Sequence, residues 1–425
     1  MAKTTTTSKK IFVYADWIGL AGPTLLGSLQ AEAVRGKEIF YFTYDKEWLR
    51  NGTAILLDPD LGFFDGPQYI KEEKSNFGIF LDSSPDRWGR VLMERREALA
   101  ASQEQRRPRK LLETDFLLGV FDKHRMGALR FKTTIDGAFL HDDDSNATPP
   151  FARLRTLEEA SLHLEQGDTL TDKQFAHWLN LLLSPGSSLG GARPKASVVD
   201  PAGDLWIAKF PSNKDEYDTG GWEAVVNNLA KKAGVQVAEA NARRFTRDHH
   251  TFLTKRFDRA GEKRIHFASA ITLLRLMDGE AASSAQQVSY LHLAEFIMRH
   301  GARPQKDLEE LWRRIVFNIC ISNSDDQLRN HGFLLTPKGW ILSPAYDLNP
   351  VPKSNGLHLN ISEFSNALEL DLAREVAPQF RVETSYAAEI IEQVTGAVSH
   401  WHEEAKKFGI GRSDMLQMED AFRVK

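Results

Sequence analysis

The sequence has a single cysteine, Cys320, among 425 residues, so no disulfide can form within the chain. It has no uninterrupted run of about 18 apolar residues, the length that a helix needs to cross a bilayer. No apolar run follows the polar N-terminal residues MAKTTTTSKK, so a secretory signal peptide is not expected. These shortages predict a cytoplasmic protein that does not act at a membrane.

The chain also has little excess charge and lacks two familiar motifs. Its formal net charge is −4, which gives no overall attraction to nucleic acid. The patterns G-x-x-x-x-G-K-[ST] and H-E-x-x-H are absent, which argues against a Walker A loop and against a zinc site. A basic run could still contact phosphate, although such a run is usually a solvated turn. That run consists of Arg106, Arg107, Arg109 and Lys110.

What is present is the composition of an ordinary globular enzyme. Its content of 42% hydrophobic and 26% charged residues is ordinary for a globular protein. Its 425 residues are too many for one typical core, so two or three domains are expected. Residues 11–17 and 38–44 predict strands rich in β-branched and aromatic residues, and residues 86–101 predict a helix. The polar segment HDDDSNATPP, residues 141–150, is the best linker candidate.

Helical patterns dominate from residue 151 onward, interrupted by strand-like segments at 196–199 and 205–210. One helix is predicted from apolar residues at helical spacing, with Asp307 placed to cap its first turn. Those apolar residues are Leu308, Leu311, Trp312, Ile315, Val316 and Ile319. This helix is expected to deliver the loop that contains Asp325. Trp401 and Leu416 are most simply core residues of C-terminal helices.

Three side chains in the C-terminal part indicate phosphate transfer. Asp325 stands five residues before Asn330, and Asp347 follows in the segment SPAYDLNP. This order matches the D-x-x-x-x-N loop and second metal-binding aspartate of phosphotransfer enzymes, although the flanking His-Arg and Phe-Gly of ordinary protein kinases are missing. Asp325 would accept a proton from an attacking hydroxyl, while Asn330 and Asp347 would offer the oxygen ligands that Mg²⁺ prefers. Both aspartates can also belong to ordinary polar turns.

A glycine pair precedes a predicted strand in the segment SSLGGARPKA. Gly190 and Gly191 let the backbone approach phosphate oxygens closely. The small Ser188 and Ala192 keep that path open, and Lys195 brings a positive charge. A glycine pair by itself is more often only a turn.

Lys209 lies in the apolar strand LWIAKFP, where an ammonium group is costly unless a negative group meets it. Kinases place their phosphate-pairing lysine on such a strand, and a glutamate from the next helix orients it. Glu223 is the candidate, in the first turn of a helix predicted around residues 221–234, where it could equally be only a favourable contact with the helix dipole. The segment FLTKRFDR, residues 252–259, has the place of the connector between two lobes.

Together these motifs resemble those of HipA-family serine/threonine kinases, the toxins of bacterial toxin-antitoxin pairs. The resemblance rests on SSLGGARPK, WIAKFP, KRFDR, NSDDQLRNHGFLL and SPAYDLNP, which occur in the family's order. In the N-terminal part it rests on DWIGLAGPTLLGSL, SSPDRWGR and DFLLGVFDKHRMGALRF. Several motifs in one order are far more specific than any one of them.

The resemblance implies a role for each residue of the site. Asp325 would be the catalytic base, Asn330 and Asp347 would hold Mg²⁺, and Lys209 would contact the phosphates of ATP. The residues that it places around the nucleotide are Ser188, Gly190, Gly191, Ala192, Arg193, Lys195, Lys209, Glu223, Lys255, Arg256, Phe257, Gln327, Arg329, Asn330, Tyr346 and Asp347. Among them the backbone of residues 255–257 would meet the adenine.

The resemblance also implies self-modification. Ser188, or its neighbour Ser187, stands where family members are phosphorylated on their own glycine-rich loop. Phosphate adds nearly two negative charges beside the site for the phosphates of ATP, so the loop would be expelled and the enzyme switched off.

The implied fold is α+β, bilobed and protein-kinase-like, with an N-terminal α/β subdomain and a mainly helical C-terminal lobe. Its segments would be a flexible N-terminus (1–10), the N-terminal subdomain (11–140), a linker (141–150), a nucleotide-binding part (151–258) and the helical catalytic lobe (259–425). The implied partners are a small helix-turn-helix antitoxin of the HipB type and a protein of translation, such as an aminoacyl-tRNA synthetase. DNA contact would then be indirect, through the antitoxin.

The sequence departs from the family pattern at Gln327, where family members often have histidine. Glutamine keeps hydrogen bonding but cannot carry charge, so a proton-handling role at this position would be lost. Two other hypotheses stay open. One is a catalytically weak or silent protein that acts as an antitoxin or co-repressor subunit, and the other is a small-molecule kinase.

Overall fold

The structure, a computed structural model, describes residues 8–34, 36–52, 54–71, 73–142, 148–166, 172–183, 191, 193–245, 249–276 and 288–424. It forms two compact units. The first comprises Met1–Ile207 and Asp258–Ala268, and the second comprises Ala208–Phe257 and Ser269–Lys425. The five segments expected from the sequence stay a prediction. Within the described ranges, the helices are too short or too polar to cross a bilayer.

The fold combines helices and strands, as predicted. The strands are β1 (Ser8–Ala15), β2 (Thr24–Val34), β3 (Lys37–Tyr44), β4 (Gln68–Tyr69), β5 (Leu129–Lys132), β6 (Lys195–Val199), β7 (Leu205–Lys209), β8 (Ala240–Arg243), β9 (Thr251–Lys255), β10 (Arg259–Ala260), β11 (Lys263–Arg264), β12 (Phe267–Ser269), β13 (Gly332–Thr336) and β14 (Gly339–Leu342). The helices are α1 (Lys46–Asn51), α2 (Gly78–Asp82), α3 (Arg87–Gln103), α4 (Glu113–Leu118), α5 (Leu154–Gln166), α6 (Asp172–Leu183), α7 (Thr219–Lys232), α8 (Ala270–Leu273), α9 (Tyr290–His300), α10 (Pro304–Cys320), α11 (Leu370–Val376), α12 (Thr384–Ser399), α13 (Trp401–Lys407) and α14 (Arg412–Met418).

The first unit is built on a five-stranded antiparallel sheet in the order β4-β3-β2-β1-β5. Buried and less buried residues alternate along β1 and β3, because successive side chains of a strand point to opposite faces. The buried face packs against a core of phenylalanines that are fully buried: Phe40, Phe42, Phe77, Phe80 and Phe131. The strands predicted at 11–17 and 38–44 are therefore confirmed, with ends shifted by a few residues.

Helix α3 of the first unit begins where the sequence predicts it. Asp86 is its N-cap, and the Asp86 carboxylate accepts a hydrogen bond from the backbone N–H of Gly89 at 2.8 Å. Such a cap satisfies one of the backbone donors that a helix leaves open at its start.

Two of the four cations in the basic run after α3 pair with carboxylates of the same unit. Arg106 forms ion pairs with Glu97 and Glu104, both at 2.5 Å, and Arg109 pairs with Asp115 at 2.9 Å. Two cations of this run are thus engaged within the protein, which weakens the case for direct contact with DNA phosphates.

The core of the second unit surrounds α10. Its predicted apolar residues are buried, and Trp222, Trp312 and Trp340 are the largest fully buried side chains of this unit. The helix starts at Pro304 after the N-cap residue Arg303, so the prediction that Asp307 caps it was wrong. Asp307 is instead buried, and its carboxylate accepts from the Leu342 backbone at 3.1 Å and from Arg303.

The C-terminal helices largely follow the sequence pattern. Trp401 is buried, as predicted, and stacks on Phe422 with ring centroids 4.4 Å apart. Leu416 is 62% exposed, so the prediction that it belongs to the core was wrong. It lies on the outer side of the short helix α14, whose buried residue is Met418.

Candidate active site

Lys209, at the end of β7, lies between two carboxylates of the second unit. Its Nζ atom is 2.5 Å from Glu223 Oε1 and 2.6 Å from Asp347 Oδ1. The lysine and glutamate side chains are only 13% and 6% exposed, whereas that of Asp347 is 34% exposed. The structure therefore brings together three of the predicted site residues and leaves Asp347 accessible from solvent.

Local sequence explains how α7 presents Glu223. Asp218 is the N-cap of this helix and accepts hydrogen bonds from the backbone N–H of Gly221 at 3.0 Å and of His250 at 2.7 Å. Gly220 is required for the close approach of α7 to the chain before β9, since a Cβ atom there would lie 2.1 Å from the carbonyl oxygen of His250. Glu223 is the fifth residue of α7 and lies beyond the first turn, so the alternative of a dipole contact in the first turn was wrong.

Burial and charge have opposite effects on Lys209. Burial alone lowers the pKa of the ammonium, but the adjacent charges of Asp347 and Glu223 outweigh it, and the pKa lies above the ordinary value for lysine. The side chain is therefore fully charged at neutral pH, as a group that binds phosphate must be.

Asp347 has an unusual backbone conformation. Its φ angle is +59°, in the left-handed region that non-glycine residues rarely adopt. Such residues cluster at functional sites, where the surrounding structure holds them in place.

The loop from Asp325 to Asn330 divides its polar groups between solvent and interior. Asp325 is exposed, and its Oδ1 atom accepts a hydrogen bond from the Gln327 side chain at 2.7 Å. Asn330 is buried, and its side-chain nitrogen donates to the carbonyl oxygen of Asp325 at 3.0 Å. The loop closes on itself, so the spacing of five residues in the sequence becomes a direct contact.

A chain of hydrogen bonds joins this loop to the segment of Asp347. Gln327 links Asp325 to Arg329, whose Nε atom donates to Gln327 Oε1 at 3.2 Å. The Tyr346 hydroxyl then donates to the backbone carbonyl of Arg329 at 2.8 Å. Because Tyr346 immediately precedes Asp347, the two predicted metal-binding segments are tied together.

The side chains of Asn330 and Asp347 fit the needs of a magnesium ion. The amide nitrogen of Asn330 is used by Asp325, so its oxygen is the atom left to act as a ligand. A carboxylate and an amide oxygen, completed by phosphate oxygens and water, form the kind of ligand set that Mg²⁺ accepts.

The predicted connector, residues 252–259, makes an aromatic contact with the segment of Asp347. The ring of Phe257 lies 5.7 Å from that of Tyr346, centroid to centroid, at an interplanar angle of 33°. The backbone N–H of Lys255 donates to the carbonyl of Glu239 at 2.8 Å, so it is used within the protein, and Arg256 is buried. The adenine contact of this segment stays a prediction.

The glycine-rich segment is described only in part. Ser187, Ser188, Gly190 and Ala192 lie outside the described residues, whereas Gly191, Arg193 and Lys195 belong to the first unit. Lys195 was predicted to bring its charge to phosphate, but its Nζ atom is buried and pairs with Asp86 Oδ2 at 3.0 Å. Its contact with Asp86 was missed because the two residues are 109 positions apart in the sequence.

Sequence reasoning also missed the interior role of Asp326. This residue is 2% exposed and hydrogen-bonded to buried side chains. The signal available in the sequence was the pair of asparagines, Asn318 and Asn323, on the otherwise apolar approach to the loop.

Comparison with known proteins identifies the family. The family described as the HipA-like C-terminal domain matches residues 187–401, which is half of the chain. The chain belongs to the HipA-like family. The match includes Lys209, Glu223, Asp325, Asn330 and Asp347, so the whole candidate site of this HipA-like protein lies within the family domain.

Two curated relatives are named as kinases. A "Putative kinase" of Haemophilus influenzae is 30% identical over 144 residues, which cover 31% of this chain and 38% of that protein. The "Putative kinase Y4mE" of Sinorhizobium fredii is 27% identical over 186 residues, 38% of this chain and 41% of that protein. The HipA-like chain thus spans about two fifths of the length of the curated relatives that it matches.

A solved structure is similar over nearly the full length. It is HipA from Shewanella oneidensis MR-1, in a complex with HipB and its operator DNA. The TM-score is 0.63 at 18% sequence identity, and the alignment covers 97% of this chain and 94% of that chain. At this level of identity the similarity shows that the HipA-like chain has the HipA fold.

Proposed function

We propose that this HipA-like protein is an ATP- and Mg²⁺-dependent serine/threonine protein kinase. The single observation that supports this most strongly is Lys209, a buried cation held between Glu223 and Asp347. A kinase needs a lysine oriented by a glutamate and a metal-binding aspartate within reach of the same phosphates. The exposed Asp325, on a loop tied to the segment of Asp347, adds the group that accepts a proton.

In the proposed reaction, Lys209 binds phosphate oxygens of ATP, and Glu223 keeps the lysine in place. When bound by Asp347 and Asn330, Mg²⁺ supplies positive charge against the phosphate oxygens. The acceptor hydroxyl forms a bond to the γ-phosphorus while the bond to the bridging oxygen of ADP breaks. Asp325 takes the hydroxyl proton, and positioning and charge neutralisation supply most of the rate enhancement.

The proposal extends to the partners and the acceptors. The similar HipA was solved with HipB and operator DNA, which supports a small helix-turn-helix antitoxin as the partner of this chain. The acceptor would be a protein of translation, such as an aminoacyl-tRNA synthetase. Ser188 or Ser187 of the chain itself would be a second acceptor, through which the enzyme switches itself off.

A catalytically weak or silent protein is the second candidate function. One observation favours it: the Gln327 side chain donates a hydrogen bond to Asp325 Oδ1, so one oxygen of the proposed base is already engaged. Gln327 stands where family members often have histidine, and it cannot itself take up a proton at neutral pH.

The test is transfer from labelled ATP by the purified full chain with Mg²⁺. The wild type should label itself at Ser188 or Ser187, and Asp325→Ala should lower the rate by about 10²-fold or more, since a positioned base is worth that much. Asp371→Ala is the matched control, because Asp371 is an exposed carboxylate of the same unit, and it should label normally.

Intact labelling by Asp325→Ala would refute the base assignment. No nucleotide binding by the wild type at millimolar ATP would favour the silent alternative. A phosphoproteomic comparison of cells expressing the wild type and Asp325→Ala separates a protein kinase from a small-molecule kinase, because only the former changes protein phosphosites.

A further inference from the structure

Asp326, next to the proposed base, is a buried carboxylate with three side-chain donors. Its Oδ2 atom accepts hydrogen bonds from the Tyr290 hydroxyl at 2.5 Å, from Asn318 Nδ2 at 2.8 Å and from His331 Nε2 at 2.9 Å. Tyr290, Asn318 and His331 are all buried as well. A buried carboxylate is tolerated only when it is satisfied in this way.

The donors come from three different parts of the second unit. Tyr290 is the first residue of α9, Asn318 lies in the last turn of α10, and His331 follows the loop of the site. A single carboxylate oxygen therefore connects the loop to two helices and to the start of β13.

The same cluster also fixes the chain before the loop. The side-chain nitrogen of Asn323 donates to Asn318 Oδ1 at 3.1 Å, and its backbone N–H donates to the Asn318 carbonyl at 2.9 Å. Asp325 thus lies between two anchored positions, Asn323 and Asp326, both of which are bound to the end of α10.

The two neighbouring aspartates are suited to different tasks. Asp325 is exposed and can reach a substrate, whereas Asp326 is 2% exposed and its Oδ2 atom already accepts three hydrogen bonds. Asp326 is therefore not a second base. Its contribution to catalysis must pass through the backbone that it shares with Asp325.

We propose that Asp326 is a positioning residue, which holds the loop of Asp325 in the geometry for phosphate transfer by anchoring it to Tyr290, Asn318 and His331. This inference rests on the proposed function. Catalysis is sensitive to such anchoring, because a displacement of about 1 Å of a catalytic group can cost about 10²-fold in rate.

The simpler explanation is that the cluster only stabilises the fold, and the test must separate the two. Asp326→Asn keeps the shape and one carbonyl oxygen but removes the charge, and Asp326→Ala removes every acceptor. Tyr290→Phe removes one donor and leaves the carboxylate in place. Asp307→Asn is the matched control, because Asp307 is a fully buried and hydrogen-bonded aspartate near the opposite end of α10.

Two measurements are made on the folded full-length variants, well below their melting temperatures. The first is steady-state phosphate transfer, with kcat and the KM for ATP determined separately. Asp326→Ala should lower kcat by about 10²-fold, and Asp326→Asn and Tyr290→Phe by about 10-fold. The KM for ATP should change less than kcat, because Lys209 and Glu223 lie outside the loop and keep their contact. Asp307→Asn should keep the kcat of the wild type even where its melting temperature falls.

The second measurement does not depend on activity. Amide hydrogen exchange of the peptide covering residues 323–331 should be faster in Asp326→Asn and in Tyr290→Phe than in the wild type, and unchanged in Asp307→Asn. Exchange reports local opening, so it detects release of the loop directly.

The outcomes are distinguishable. Unchanged kcat together with unchanged exchange in Asp326→Asn and Tyr290→Phe overturns the inference, as does an equal loss of kcat in Asp307→Asn. If the wild type itself transfers no phosphate, the proposed function fails, and exchange alone then decides whether Asp326 anchors the loop.

Discussion

At the scale of single residues, Lys209 is a cation in a place where a cation is costly, and Glu223 and Asp347 compensate for it. The pair with Glu223 is largely buried, with side-chain exposures of 13% and 6%. Removing one partner of such a pair leaves the other as an uncompensated charge. The site is therefore coupled to the stability of the second unit.

We expect Lys209→Met to lose both activity and stability. Transfer should fall by about 10²-fold, because a charge that faces the phosphates is lost. The free energy of unfolding should fall by about 3 kcal/mol, since Glu223 stays buried without its cation. Steady-state kinetics and urea denaturation measure the two effects. Lys338→Met, at an exposed lysine of the β13–β14 turn, is the control and should change neither. An active Lys209→Met variant would contradict the assignment.

The raised pKa of Lys209 also fixes the sign of its pH dependence. A group whose pKa is higher in the folded state stabilises that state fully below its unfolded pKa of about 10.4, and the stabilisation is lost as the pH rises through the higher folded value. The contribution of Lys209 to stability is therefore complete at neutral pH and falls only under strongly alkaline conditions.

Residue types in order were enough to predict much of the site. A lysine on an apolar strand followed by a glutamate on a helix predicted the Lys209–Glu223 pair. The contact of Lys209 with Asp347 spans 138 positions, and no local pattern records such a distance. The pairs Lys195–Asp86 and Tyr290–Asp326 were missed for the same reason, since their partners are far apart in the sequence. Burial of a polar residue is a property of the folded chain.

At the scale of elements, the N-terminus of α7 is capped by one residue, Asp218. Asp218 binds the backbone of Gly221 and of His250, and its Oδ2 atom lies 2.5 Å from the His250 ring nitrogen Nδ1. Burial raises the pKa of the Asp218 carboxyl, but its hydrogen bonds to His250 outweigh burial, and the pKa lies below the usual value. The cap thus stabilises the helix that presents Glu223.

We expect Asp218→Ala to lower the free energy of unfolding by about 2 kcal/mol, at the upper end for the loss of a helix cap, because the cap is also buried. The carboxylate has a lowered pKa, so its contribution is present above the ordinary aspartate pKa of about 3.9 and is lost as the pH falls through the folded value. The difference between wild type and variant should therefore shrink in acid. Denaturant titrations from pH 7 to pH 3 measure it. A constant difference over this range would show that the charge of Asp218 is not the cause.

Regular elements were predicted well where one physical pattern dominates. The β-branched and aromatic residues of β1 and β3 and the helical spacing in α10 are each visible in the sequence. The start of α10 was misjudged because Pro304, which suits the first turn of a helix, was passed over in favour of Asp307. Leu416 was misjudged because an apolar residue on a short terminal helix can face solvent.

At the scale of the whole molecule, charge argues against direct binding to DNA. The formal net charge is −4, and Arg106 and Arg109 of the basic run are paired with carboxylates. Affinity for duplex DNA comes largely from cations that neutralise phosphates. A chain with this balance is expected to bind duplex DNA weakly by itself.

We expect the purified chain, without an antitoxin, to bind duplex DNA with a Kd weaker than about 10⁻⁴ M at physiological salt, the weak limit of ordinary non-specific binding. Fluorescence anisotropy with a labelled duplex at several salt concentrations measures this. Salt-dependent binding tighter than about 10⁻⁴ M would contradict the expectation. If Arg107→Ala or Lys110→Ala then weakened that binding, the basic run would be identified as the contact.

The left-handed backbone at Asp347 has a consequence for the design of the molecule. Glycine adopts this backbone conformation without strain, whereas a residue with a side chain lowers the free energy of unfolding by on the order of 1 kcal/mol. The total stability of a typical domain is about 5–15 kcal/mol. Such a cost is a local conflict between residue type and backbone, of the kind that proteins accept at functional sites. The proposed metal-binding role of Asp347 would account for an aspartate, and not a glycine, at this position.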